Sequence, residues 1–100
     1  LMDGVKDVNV YNKIFEAVEK VPGASNPHRV RSRMIGNRYI ITLDIEVNPH
    51  ITITQAHEIA GAVEKSIEDS IDNVYDILVH VEPAGECQTD EKFGVNKGMV

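Results

Sequence analysis

The chain is poor in the residues that usually announce a chemistry. It has one cysteine, no tryptophan, three tyrosines and two phenylalanines among 100 residues. The lone Cys87 excludes an intrachain disulfide and a Cys-x-x-Cys metal loop, and it fits a reducing compartment. With so few aromatics, the core has to come from Val, Ile, Leu and Ala. No apolar run approaches the roughly 18 to 20 residues a membrane-spanning helix needs. Leu1-Met2-Asp3 is not a charged start followed by an apolar stretch, so no secretory leader is read there. The chain opens on Leu rather than Met and is expected to be a piece of something longer. Gly-rich phosphate loops, nucleophile elbows and Ser-His-Asp arrangements are all missing, and the chain is expected not to be an enzyme. Excess positive charge is lacking too. A formal net charge of −6 argues against non-specific nucleic-acid binding and against an anionic membrane surface, and suits attraction of cations.

What is present suffices for one small domain. At 42% hydrophobic content, 100 residues are enough for a single core and too few for two, and a domain of this size often gains stability from a partner subunit. Residues 1 to 6, with Gly4, read as a linker. From Asp7 to Val21 the positions Val8, Tyr11, Ile14, Phe15, Val18 and Val21 recur at helical spacing, and Pro22-Gly23 ends the pattern. Ser25-Asn26-Pro27 reads as a turn. His28 to Met34 then alternates, with Val30 and Met34 on one side and Arg29, Arg31 and Arg33 on the other. Gly36-Asn37 fits a tight hairpin turn. Arg38 to Val47 is the clearest strand: Tyr39, Ile41, Leu43, Ile45 and Val47 share one face, Ile40, Thr42, Asp44 and Glu46 the other. Thr52-Ile53-Thr54-Gln55 matches a capping box opening a helix to about Ile71, with Ala56, Ala60, Val63, Ile67 and Ile71 as its buried stripe. Tyr75 to Glu82 is a last strand, with Tyr75, Ile77, Val79 and Val81 inward and Asp76, Leu78, His80 and Glu82 outward. Residues 84 to 100 are polar and aperiodic, as in a flexible tail.

The order is α-β-β-α-β. A crossover helix makes the second and third strands parallel neighbours, and the hairpin adds the first strand antiparallel. The expectation is an α+β, ferredoxin-like or metallochaperone-like domain over residues 7 to 83, with a three-stranded mixed sheet and both helices on one face. The other face carries Ile40, Thr42, Asp44, Leu78, His80 and Glu82, half apolar and half ligand-like, as in a surface that meets a partner.

Asp44, His80 and Glu82 point the same way on adjacent strands, about 5 Å apart across the ladder and about 7 Å along it. Imidazole and carboxylate at that separation suit Zn²⁺ or another first-row divalent ion. The plain alternative is a solvated strand face with scattered polar groups. His57 stands in the first turn of the second helix beside Glu58 and is a further candidate ligand, against an ordinary exposed polar role. His28 shares parity with Val30, which aims it at the core side. His50 reads as a loop residue and Cys87 as a spectator on the tail. Arg29, Arg31 and Arg33 are too few, and lack interleaved aromatics, for a nucleic-acid surface; a solvated edge or salt bridges account for them.

The runs Val21-Pro22-Gly23, His28-Arg29-Val30-Arg31-Ser32-Arg33, Gln55-Ala56-His57-Glu58-Ile59 and Ile77-Leu78-Val79-His80-Val81-Glu82-Pro83, in this order and spacing, resemble the cytoplasmic C-terminal domain of cation diffusion facilitator transporters. Leu1-Met2-Asp3 resembles the linker beyond the last transmembrane helix of that family. The resemblance implies a domain on the cytoplasmic side of a membrane, forming a V-shaped homodimer, joined to its own transmembrane domain and regulating transport through bound metal. It places the family's ligand positions on His28, Asp44, His57, His80 and Glu82. It also implies a divalent transition metal: Asp44 stands where zinc exporters of the family often carry His, which leaves Fe²⁺ or Mn²⁺ open beside Zn²⁺ and resembles the magnetosome iron branch. The rival expectation is a freestanding ferredoxin-like sensor of a small molecule or metal.

Overall fold

The computed structural model describes residues 8–85, as α1 (Val8–Glu19), β1 (Ser25–Ile35), β2 (Arg38–Val47), α2 (Ile53–Ser70) and β3 (Val74–Pro83). The expected linker and Cys87 lie outside the described residues, as does all of the expected tail beyond Gly85. No helix of the described residues is long and apolar enough to cross a membrane. The strand order is β1-β2-β3. β1 is antiparallel to β2 and β3 parallel to it, the α+β arrangement that the alternation and the crossover predict.

The core is aliphatic, as the shortage of aromatics requires. Ile41, Leu43 and Ile45 of β2 are buried together with Val30, Val63 and Ile67, and α1 adds Tyr11, Ile14, Phe15 and Val18. Both helices thus cover the face of the sheet that carries the odd-numbered residues of β2. Polar groups within this layer are paired. Ser66 Oγ of α2 donates to the Ala17 carbonyl of α1 at 2.8 Å, and the Tyr11 hydroxyl accepts from the Ser32 N–H on the outer edge of β1 at 3.2 Å. In α1 the buried stripe takes Val10, and Val8, at the first turn, is exposed.

Turn chemistry fixes the joints. Gly36 has φ +61° at the first of the two hairpin-loop positions between the partners Ile35 and Arg38, as a type II′ connection requires. α2 opens with a complete capping box: Gln55 N–H donates to Thr52 Oγ1 at 3.0 Å and Thr52 N–H to Gln55 Oε1 at 2.9 Å. Gly23 ends the α1 corner with φ +91°, and a Cβ there would lie 2.9 Å from Ile59 Cδ1 of α2. The backbone conformation therefore calls for glycine, and any side chain there would also have to displace the end of the Ile59 side chain.

Side-chain alternation fails at three places, each where one strand carries a residue more than its partner. In β1, the pairs Ser25 with Glu46, His28 with Asp44 and Arg31 with Thr42 leave one extra residue in each interval. Asn26 and Arg29 take φ of +48° and +50° there. These are β-bulges, which turn the strand and reset which face a side chain meets. The segment expected as a turn at 25–27 is instead bulged strand. His28, expected toward the core with Val30, lies opposite Asp44 on the open face. In β3, Tyr39 pairs with Val74 and Ile40 with Asp76, so Tyr75 is the extra residue and is 61% exposed rather than inward. Its ring centroid lies 6.0 Å from the Arg38 guanidinium carbon. Met34 and Ile35, beside the hairpin turn, are exposed as well, because the helices leave the tip of the hairpin uncovered.

Gly23→Ala is expected to destabilise the domain by about 1–2 kcal/mol through left-handed backbone strain and the forced shift of Ile59. Thr52→Ala is expected to remove about 1 kcal/mol by opening the capping box. Chemical denaturation of each variant against the parent checks both; a Gly23→Ala midpoint equal to the parent's would refute the proposed close approach.

Candidate metal centre

The open face of the sheet carries one row of three ligand-type side chains. His28 of β1 and His80 of β3 are the Cα partners of Asp44 on the central strand. One step along the strands lies Glu46, paired with Glu82. The parallel register that α2 imposes therefore puts Asp44, His80 and Glu82 together, and the β1 bulges bring His28 to them. Ligand atoms of Asp44, His80 and Glu82 lie within 4.8 Å of one another, and so do those of His28, Glu46 and Glu82. Glu82 belongs to both sets.

The distances describe a compact charge cluster. His28 Nε2 stands 3.0 Å from Glu82 Oε1 and 3.8 Å from Asp44 Oδ2. His80 Nδ1 is 3.5 Å from both Asp44 Oδ1 and Glu82 Oε2. Asp44 and Glu82 are buried, as is His28, and His80 is exposed, so the cluster opens to solvent on one side. Taking carboxylates out of water is costly unless opposite charge and hydrogen bonds replace the water. Here the replacement is incomplete. Asp44 Oδ2 is buried and accepts no hydrogen bond. It does have Arg29 Nε at 3.1 Å, within ion-pair range, but without the alignment of a hydrogen bond. A buried acceptor with no partner at all costs about 1–3 kcal/mol; the ion pair offsets part of that cost, and a bound cation would offset more.

His28 is oriented for such a cation. Its Nδ1 lies 2.7 Å from the Asn26 carbonyl, an acceptor, so Nδ1 carries the proton and donates. Nε2 is then the atom facing the carboxylates, either as a second donor in the protonated ring or as a lone pair toward a shared ion. A ring N–H anchored on a backbone carbonyl is how metal-binding imidazoles are commonly held. The Asn26 carboxamide in turn donates to Glu46 Oε2 at 2.8 Å. Nitrogen from imidazole with oxygen from carboxylate suits first-row divalent ions, and on donor chemistry the residues present fit one.

Of the residues singled out from sequence, His28, Asp44, His80 and Glu82 come together. His57 does not join them: it is exposed on α2, in the helical layer on the far side of the sheet. His50 lies in the loop before α2, where its N–H donates to Asn48 Oδ1 at 2.8 Å. Arg29 belongs to the salt-bridge role, with Asp44 as its partner. Sequence reasoning passed over Glu46 and Asn26. Glu46 shares the parity of Asp44 and was legible on that ground; Asn26 was not, since its place depends on the bulge.

Comparison with known proteins agrees with this fold. Residues 7–84 match the family model described as cation efflux protein, cytoplasmic domain. The magnetosome protein MamM of Magnetospirillum gryphiswaldense is 35% identical over 82 residues, covering 82% of this chain and 26% of that protein. The manganese efflux system protein MneS of Bacillus subtilis is 31% identical over 87 residues, covering 83% of this chain and 28% of that protein. The chain thus spans about a quarter of the length of these curated relatives. Among solved structures, the metal-bound C-terminal domain of the CzcD transporter from Thermotoga maritima superposes with a TM-score of 0.78 at 36% identity, covering 83% of this chain and 96% of that one. The fold, the register that assembles the cluster and these matches together place the chain in the cytoplasmic-domain family of the cation efflux proteins, the cation diffusion facilitators.

Proposed function

We propose that this domain senses a divalent transition metal, without catalysis, on the cytosolic side of a transporter, and that metal held by Asp44, His80, Glu82 and His28 tightens a V-shaped homodimer and so regulates efflux. The observation that carries this reading is the pair of buried carboxylates, Asp44 and Glu82, with two imidazoles facing them and one oxygen left without a hydrogen bond. Arg29 and His28 offset part of the charge of this pair, and a bound cation supplies a direct partner for the Asp44 oxygen that accepts no hydrogen bond.

Like charge provides the drive in the metal-free state. Each copy carries a formal net charge of −6, and two carboxylates about 4 Å apart repel by about 1 kcal/mol in water, more where water is thinned out. The same open face offers Leu78, which is 64% exposed, and a half-buried Ile40. A second copy would cover these apolar groups once the charge between the copies is reduced. His57 sits outside the protomer's own donor set and is not among the ligands proposed for this ion. The donor set contains no thiolate, which favours the borderline and harder ions Zn²⁺, Fe²⁺ and Mn²⁺ over Cu(I). The membrane-embedded part of the parent transporter carries out the transport itself, and the domain biases it.

Three outcomes are expected. In calorimetry with Zn²⁺ and Mn²⁺, Asp44→Ala and His80→Ala weaken binding by at least about tenfold with unchanged circular dichroism, while Cys87→Ser leaves affinity as it was. In small-angle scattering, metal reduces the radius of gyration of the parent dimer and not that of Asp44→Ala. A variant that closes with metal as the parent does removes Asp44 from the principal ligands. At one hundred times the dissociation constant, metal stabilises the folded domain by about 2.7 kcal/mol, read as a concentration-dependent rise in the thermal midpoint.

A further inference from the structure

The bulge that carries His28 onto the open face carries one more side chain there. Arg29 is the extra residue between the pairs His28–Asp44 and Arg31–Thr42, and it is held in the left-handed region at φ +50°. In this region a non-glycine residue is strained, and the strain delivers a cation to the buried ligand. Arg29 Nε lies 3.1 Å from Asp44 Oδ2, and its side chain is 39% exposed against 9% for that of Asp44. Asp44 Oδ2 is the same oxygen that accepts no hydrogen bond and that faces His28 Nε2. A guanidinium at this distance and a divalent ion bound through Oδ2 compete for one charge.

We propose that Arg29 is the domain's internal counter-ion, occupying the charge of Asp44 in the metal-free state and setting metal affinity by having to yield it. This rests on the metal-binding reading of Asp44. The partly exposed Arg29 side chain can swing toward solvent while Asp44 stays in its strand, so release requires a side-chain rotation and no refolding. Arg29 acts here as an affinity-setting residue and not as a ligand, since a guanidinium has no lone pair to donate. The device keeps the buried carboxylate neutralised when metal is scarce. It also raises the metal concentration at which the site fills.

Calorimetric titration of the full chain with Zn²⁺ and with Mn²⁺ tests this, using Arg29→Gln, Arg29→Lys and, as a control with the same change of net charge, Arg31→Gln. Arg29→Gln is expected to bind either ion about tenfold more tightly, equivalent to about 1.4 kcal/mol. Arg29→Lys is expected to stay close to the parent, and Arg31→Gln to change affinity much less than Arg29→Gln. Without metal, Arg29→Gln should unfold at a lower temperature than Arg31→Gln, and added metal should raise its midpoint by more than it raises the parent's. Weaker binding in Arg29→Gln would mean that Arg29 holds Asp44 in place for the ion, and would overturn the proposal. Equal gains in Arg29→Gln and Arg31→Gln would reduce the effect to net charge and overturn it as well. If neither the parent nor any variant binds metal, the metal site itself falls, a result distinct from either of these.

Discussion

Two carboxylates held nearly out of water on neighbouring parallel strands are the constraint to which the rest of this face responds. Asp44 lies on the central strand, and Glu82 lies one step along β3 from His80, the partner of Asp44. Both are buried. Buried ionised groups persist only with charge and hydrogen bonds to replace their hydration. The neighbours are chosen accordingly: His28 from one side, His80 from the other, and Arg29 against Asp44. The cluster is balanced without being saturated, which is what a reversible ion site requires. A fully hydrogen-bonded pair would gain little from a cation, and a bare one would not remain charged in the fold.

The aliphatic core serves this arrangement by fixing register. α2 is the crossover between β2 and β3, and its capping box and the buried Val63 and Ile67 set where β3 begins to pair. A one-residue slip of β3 would turn His80 and Glu82 into the helical layer and bring Val79 and Val81 out to Asp44. The cost of burying a charged pair among Ile and Leu makes that slip prohibitive, so the apolar face and the ligand face enforce the same alignment. At β1 the sheet departs from regular pairing, and the departure is used: the bulges at Asn26 and Arg29 admit an imidazole and a guanidinium to the open face where a regular strand would present only one of the two.

Much of this was legible in the residues. The alternation of Arg38 to Val47 and Tyr75 to Glu82 identifies both strands, and the crossover rule makes them parallel, which suffices to juxtapose Asp44, His80 and Glu82. Thr52 and Gln55 mark the start of α2, and Gly36 marks the hairpin. Where period-two reasoning failed, it failed at Tyr75 and at His28, and for one reason. A bulge is a property of how two backbones pair, and alternation along a single strand carries no record of it. One extra residue reverses the facing of every side chain beyond it. Residue parity thus aimed His28 at the core, while resemblance to the family had already placed it among the ligand positions. The orienting carbonyl of Asn26 and the pairing of Arg29 with Asp44 depend on that same bulge, and so lay beyond an argument from one strand at a time.

The site as proposed holds one ion between side chains from all three strands. Anomalous diffraction from crystals of the domain grown with Mn²⁺ or Zn²⁺, collected on either side of the metal's absorption edge, tests it directly. A shared ion gives a peak on the open face within about 2.0–2.3 Å of Asp44 and Glu82 oxygens and of imidazole nitrogens from both His80 and His28. A peak at Cys87 or His50 with none beside Asp44, or a fully loaded crystal with no peak on this face, would contradict it.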